Sequence, residues 1–313
     1  MSANTTDTRT PLLVWGALAI VYVVWGSTYL GIRIAIETMP PLLHGAMRFV
    51  TAALLLAGFL VVRKGLSAFK MSARQFGGAA LVGLLLLTGG NGMVAVAEQH
   101  ISSGLAALLV ASVPLWLVVF RFVVRDRPAV LTLAGVLVGF GGVAALSLNG
   151  GGEAAGTTGI VVILVASLSW SIGSFLSSRI PMPGNVWAAS TVEMLVGGAG
   201  LAVTGLSIGE RLDLAAVSGR SWAALVYLVL VGSLVGFTAY MWLLGNAPIS
   251  LVSTYAYVNP IVAVILGVLV VNEHVTPQIV VGGLVILVGV ALVVSTERRS
   301  KTVKPVLQEK VKV

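Results

Sequence analysis

Two ionisable side chains stand inside long apolar stretches: Arg48 in L-L-H-G-A-M-R-F-V and Glu193 in S-T-V-E-M-L-V. A charge held in hydrocarbon is expensive, so such residues face a protein interior or a water-filled cavity. Arg48 there attracts a substrate carboxylate or phosphate. Glu193 attracts an amine or accepts a proton, which makes it the proton-coupling candidate. A packing role stays open for both, with their polarity met by helix ends and backbone carbonyls. Arg48 lies about six residues into its segment from one end and Glu193 about eight from the opposite end, so roughly 9 Å of membrane depth separates them at 1.5 Å per residue. That is too far for a firm ion pair unless both side chains stretch toward each other.

Asn91 and Glu98 fall two helical turns apart and share a face that could line an outward mouth. The commoner reading of Glu98 is a solvated carboxylate at a helix end, and of Asn91, inside G-G-N-G, a helix irregularity. The aromatic candidates are Trp25, Tyr29, Trp170, Tyr240, Tyr255 and Tyr257, all away from loop ends, whereas interfacial belts place Trp and Tyr at the headgroups. An indole or phenol offers apolar contact plus one hydrogen bond, which suits amphipathic ligands, although helix packing explains each residue singly. Asn259 is one turn from Tyr255 and precedes Pro260, whose missing N–H releases a nearby carbonyl.

Enzyme chemistry finds little support. The chain has no cysteine, and His44, His100 and His274 stand apart from any metal-binding spacing. Asp7, Asp126 and Asp213 belong to loops or tails, so no pair of embedded aspartates exists, and no histidine sits mid-membrane to activate a serine. No glycine cluster follows a strand in a nucleotide-binding context, so no cofactor is expected.

The elements that position these residues are apolar segments of membrane length. Of 313 residues, 58% are hydrophobic and 10% charged, and the mean hydropathy is +1.03, the composition of a polytopic membrane protein. Segments of about 20 residues, enough for a hydrocarbon core of roughly 30 Å, begin near Leu12, Leu42, Gln75, Ser102 and Ala129, then near Thr157, Asn185, Ser221, Ser250 and Thr276. Unbroken apolar runs make these helices, not barrel strands. The first segment is too long for a signal-peptide core and is kept as a spanning helix. The net charge of +8 marks orientation, not nucleic-acid binding. Arg9, Arg63, Lys64, Lys70, Arg74, Arg125, Arg127 and Arg179 share one side with the basic tail from Arg298 to Lys312, against only Arg211 and Arg220 on the other. Both termini are therefore expected in the cytoplasm.

The second set of five segments echoes the first. At an offset of 145, Trp25 falls on Trp170 and Arg48 on Glu193; at 146, Pro114 falls on Pro260 and Gly104 on Ser250; at 147, Asp126 falls on Glu273. Five is odd, so the second copy runs inverted, the architecture of alternating-access carriers with a midplane site. Asp126 and Glu273 open the fifth helix of each half, where an acid complements the helix dipole. Pairs such as Gly135 with Gly139 and Gly232 with Gly236 predict close helix packing.

Several stretches resemble the EamA-type branch of the drug/metabolite transporter superfamily: V-V-W-G-S-T-Y-L-G-I-R (Val23 to Arg33), P-P-L-L-H-G-A-M-R-F (Pro40 to Phe49), G-N-G-M-V-A-V-A-E (Gly90 to Glu98), S-W-S-I-G-S (Ser169 to Ser174), T-V-E-M-L (Thr191 to Leu195) and T-Y-A-Y-V-N-P-I-V-A-V (Thr254 to Val264). Ser174, closing one of them, joins the candidate substrate-binding residues. The resemblance implies an all-α integral membrane protein of ten helices in two inverted five-helix repeats, with export of small metabolites or drugs across a bacterial inner membrane. The expected organisation is a tail over 1–11, repeats over 12–148 and 157–295 with a linker over 149–156, and a basic tail over 296–313. A monomer embedded in lipid is expected, with a small-molecule substrate and H⁺ as a possible coupling ion. A carrier of phosphorylated or nucleotide-linked compounds would need several cations at depth, and Arg48 stands there alone. A purely structural membrane protein would not need Arg48 and Glu193 in hydrocarbon.

Overall fold

A computed structural model describes residues 9–125, 128–149, 154–247, 252 and 254–309. Asp126 and Ser250 lie outside these residues, as do residues 150–153 of the expected linker. The described elements are helical: α1 Arg9–Ala35, α2 Pro41–Lys64, α3 Ala73–Ala97, α4 Ser103–Val123, α5 Val130–Asn149, α6 Ala154–Ser177 and α7 Val186–Ser207. Next come α8, running from Gly219 to Asn246, α9 Tyr255–Val271 and α10 Pro277–Glu309. Eight of these are long and apolar enough to cross a membrane, and α5 and α9 contribute shorter apolar helices, Val130–Leu146 and Tyr255–Val271. The region after Ser295, expected as a water-exposed tail, continues α10 as helix to Glu309.

Local chemistry explains the boundaries. Pro41 occupies the first turn of α2, where its missing N–H has no partner to lose. Ser72 and Gln75 form a reciprocal capping box at α3, and Ser102, Asn185 and Ser218 each accept a backbone N–H at the start of α4, α7 and α8. Asn272, in the left-handed region with φ of 53°, ends α9.

Two irregularities fall at equivalent places in the halves. The third helix of each repeat widens into a π-helical stretch, Leu84–Gly92 in α3 and Leu228–Val235 in α8. The fourth helices diverge: α4 is interrupted at Ala111 and Ser112, just before Pro114, whereas α9 continues through Pro260.

The packing has the symmetry that inverted repeats require. α2 packs antiparallel on α7, and α5 on α10; α1 lies against α8 and α9 as α6 lies against α3 and α4. In the α5–α10 pair Gly289 touches the backbone of Gly139, and Thr132 and Thr296 share a buried hydrogen bond of 2.8 Å. The α2–α7 register follows from Gly45 against Leu201 and Val50 against Gly198. That register puts Glu193 about six residues beyond the level of Arg48, or roughly 9 Å along the helices.

Candidate functional site

Trp25, Tyr240 and Tyr255 come together. The Trp25 ring lies 5.0 Å from that of Tyr240 and 5.3 Å from that of Tyr255, which meet each other edge-on at 5.9 Å. The cluster joins α1 of the first repeat to α8 and α9 of the second. Tyr255 is the first residue of α9, so this cluster lies nearer the end of the bundle that carries the termini than the sequence places it. Around it, Tyr22 shares a hydrogen bond with Thr254. The buried amide of Asn259, turned to donate, reaches the carbonyls of Tyr255 and Tyr22, each at 3.3 Å. Asn259 is thereby occupied with the helix backbone.

Arg48 is 5% exposed. Its Nε donates to Ser233 Oγ at 3.1 Å, in the π-helical stretch of α8, and its guanidinium lies 4.8 Å from the centre of the Phe49 ring. The terminal amines make no hydrogen bond to any described residue. His44, one turn earlier, is buried with Nδ1 3.3 Å from the Pro41 carbonyl and Nε2 without a partner. Glu193 is half-buried, with no hydrogen bond or ion pair among the described residues, while its backbone packs against Gly83 of α3.

The remaining candidates are spread out. Trp170 lies against Gly90 in the π-helical stretch of α3, where Ser169 donates to the Leu85 carbonyl at 2.8 Å. Asn91 is half-buried in that stretch, and Ser174 is half-buried further along α6. Tyr29 and Tyr257 pack against the large core to which α1, α3, α4, α5, α6, α8 and α10 contribute.

Glu98 departs from the expectation of a solvated carboxylate: it is 0% exposed, and neither carboxylate oxygen has a hydrogen-bond partner. Tertiary packing is the reason, since α1 and the start of α6 cover the turn between α3 and α4. Arg33 Nη1 donates to the Glu98 backbone carbonyl. Glu273 also departs from expectation. It serves the neighbouring α4 instead of its own α10, accepting from Ser103 N at 2.7 Å and Gly104 N at 3.2 Å. Glu210 does the same for α2, accepting from Leu42 N at 3.1 Å and Leu43 N at 2.9 Å. Ser233 and Glu210 have no distinguishing motif in the sequence, and Arg33 is marked there only as the last residue of the Val23 to Arg33 stretch.

Each end of the bundle holds an open cavity. One of about 530 Å³ is lined by Lys64, Asn185, Trp187, Thr238 and Trp242 at the end carrying the termini. The other, of about 400 Å³, is lined by Arg33, Ile36, Glu37, Gln99, Val271 and Glu273. Beside the latter, Glu37 pairs with Arg220 at 3.7 Å.

Residues 13–148 and 157–295 each match the EamA-like transporter family. The uncharacterized inner membrane transporter YedA of Escherichia coli (strain K12) is 42% identical over 263 residues, 83% of either chain. The uncharacterized transporter YvbV of Bacillus subtilis (strain 168) is 23% identical over 97% of either chain. A crystal structure at 20% identity, covering 92% of this chain and 98% of its own, gives a TM-score of 0.61 and supports the fold alone.

Proposed function

The chain belongs to the EamA-like transporter family, and on that premise we propose that this multi-pass transporter of the bacterial inner membrane exports small amphipathic metabolites, with amino acids and amphipathic drugs as the first classes to test. The two repeats rock against each other and expose a central site to each side in turn. The bias of basic residues toward the loops and tail at one end supports cytoplasmic termini, and in that orientation the cavity beside Lys64 and Trp187 faces the donor side.

The observation that carries this reading is the cluster of Trp25, Tyr240 and Tyr255. One ring comes from the first repeat and two from the second, so any rocking of the repeats must open or re-stack it. Rings of this kind hold an apolar substrate body while their polar atoms orient its head. Arg48 supplies the charge, and its terminal amines, without hydrogen bonds among the described residues, are the groups this reading assigns to a bidentate carboxylate contact.

The test is uptake of labelled amino acids and amphipathic drugs into liposomes holding the purified protein, alongside Arg48→Ala and Trp25→Ala. At least one compound should be transported, with Arg48→Ala abolishing flux of carboxylate-bearing compounds and Trp25→Ala slowing apolar ones. Flux unchanged in both variants would overturn the site assignment.

A further inference from the structure

Resting on this transport reading, we propose that Glu98, and not Glu193, is the exchangeable proton site of the carrier. Glu98 is fully buried, and both its carboxylate oxygens lack hydrogen-bond donors. No neighbouring group donates a hydrogen bond to that carboxylate. From α1, Arg33 directs Nη1 to the backbone carbonyl of Glu98. From the α9–α10 connection, Glu273 adds a second negative charge, with its oxygens held by the α4 amides of Ser103 and Gly104. Tyr29 of α1 is a further titratable neighbour, His100 stands exposed two residues on in the same turn, and the α6 residues over this turn, Gly159 and Ile160, carry no charge.

An ionised carboxylate in that setting would be desolvated and unpaired, an arrangement a protein avoids by taking up a proton. Glu98 lies just past the Ala73–Ala97 span, and burial together with the charge of Glu273 holds its proton on, against the opposing pull of Arg33. Release has a route. Arg33 and Glu273 also line the cavity of about 400 Å³, so a shift of the α9–α10 connection removes one wall around Glu98 and admits water. The carboxylic acid then passes its proton to water, and the Arg33 guanidinium is near enough to pair with the carboxylate left behind.

The repeat makes this site one-sided. Positions equivalent to Glu98 at offsets of 145 and 146 hold Leu243 and Leu244, so the carboxyl is no part of the duplicated scaffold. Glu193 is only half-buried, whereas Glu98 is sealed from every side.

The probe is the proton itself. Infrared titration of the full-length protein in lipid should find a protonated-carboxyl C=O band at neutral pH that Glu98→Gln removes and Glu193→Gln retains. Glutamine copies the neutral acid in shape, and Glu98→Asp, which should move the band without removing it, guards against a folding artefact. A band fully retained in Glu98→Gln overturns the proposal. In liposomes carrying a trapped pH-sensitive dye, substrate-driven proton flux should be lost in Glu98→Gln while downhill exchange persists. The two failures are separable: no flux of any compound with the band present counts against transport, whereas unchanged proton flux in Glu98→Gln overturns the proton site.

Discussion

Gly236 of α8 lies beneath the indole of Trp25, where an added Cβ would stand 2.6 Å from Nε1 and 2.9 Å from Cδ1. In the other half Gly90 of α3 lies against Trp170, with 2.9 Å between such a Cβ and Cε3. Each glycine sits in or just after the π-helical stretch of its helix. The halves therefore use one device: a widened third helix presents a flat, small-residue surface to a tryptophan on the first helix of the opposite repeat.

That device predicts a sign. Alanine normally stabilises a helix relative to glycine by up to about 1 kcal/mol, and Gly58, with nothing within 4 Å of its would-be Cβ, should follow that rule. Gly236→Ala and Gly90→Ala should instead destabilise by about 1–3 kcal/mol through overpacking. Thermal unfolding of the three variants in detergent checks it; a stabilised Gly236→Ala would show that the indole moves aside freely.

The bond from Arg48 Nε to Ser233 fixes one edge of the guanidinium and leaves the terminal amines for substrate. Ser233→Ala should let the head group swing, lowering affinity for a carboxylate substrate about tenfold, or about 1.4 kcal/mol. Arg48→Lys should do worse, because an ammonium keeps the charge and loses the planar fork. Substrate KM across the two variants decides: equal KM in Ser233→Ala and the unmodified protein would mean Ser233 is a packing contact.

The reach of the sequence differs from residue to residue. Helix starts were legible because hydrocarbon thickness dictates the length of the apolar segments, and the caps at Ser72, Ser102, Asn185 and Ser218, which the apolar pattern does not single out, lie within three residues of those starts. The spacing of Arg48 and Glu193 could be computed, since helical rise and antiparallel pairing suffice. The π-helical stretches left little trace: a change of hydrogen-bond register alters neither hydropathy nor charge, and only the glycine-rich G-G-N-G around Asn91 hinted at one. The burial of Glu98 was invisible for another reason. A carboxylate one residue past a helix reads as solvated until α1 and the start of α6 are known to cover it.

Glu210 and Glu273 hold up the starts of α2 and α4 from distant loops, each through two backbone amides. A carboxylate at a helix N-terminus contributes about 0.5–2 kcal/mol through hydrogen bonding and the helix dipole. Glu210→Ala and Glu273→Ala should each destabilise by that amount, and the double variant by their sum, because the sites share no partner. The glutamine variants should retain part of the loss, since they keep an oxygen acceptor without the charge. A strongly non-additive double variant in thermal unfolding would mean the two caps are mechanically linked.

The proposed orientation can be tested directly because the chain has no cysteine to mask. Ser67, exposed in the short turn Leu66–Phe69, and Asp213, exposed between α7 and α8, belong to opposite ends of the bundle. With Arg63, Lys64, Lys70 and Arg74 flanking Ser67, the positive-inside bias puts that turn in the cytoplasm and Asp213 outside. In intact spheroplasts a membrane-impermeant maleimide should therefore label Asp213→Cys and spare Ser67→Cys, with both labelled after lysis. The opposite pattern would invert the carrier, turning the cavity beside Lys64 and Trp187 outward and placing Glu98 on the cytoplasmic side.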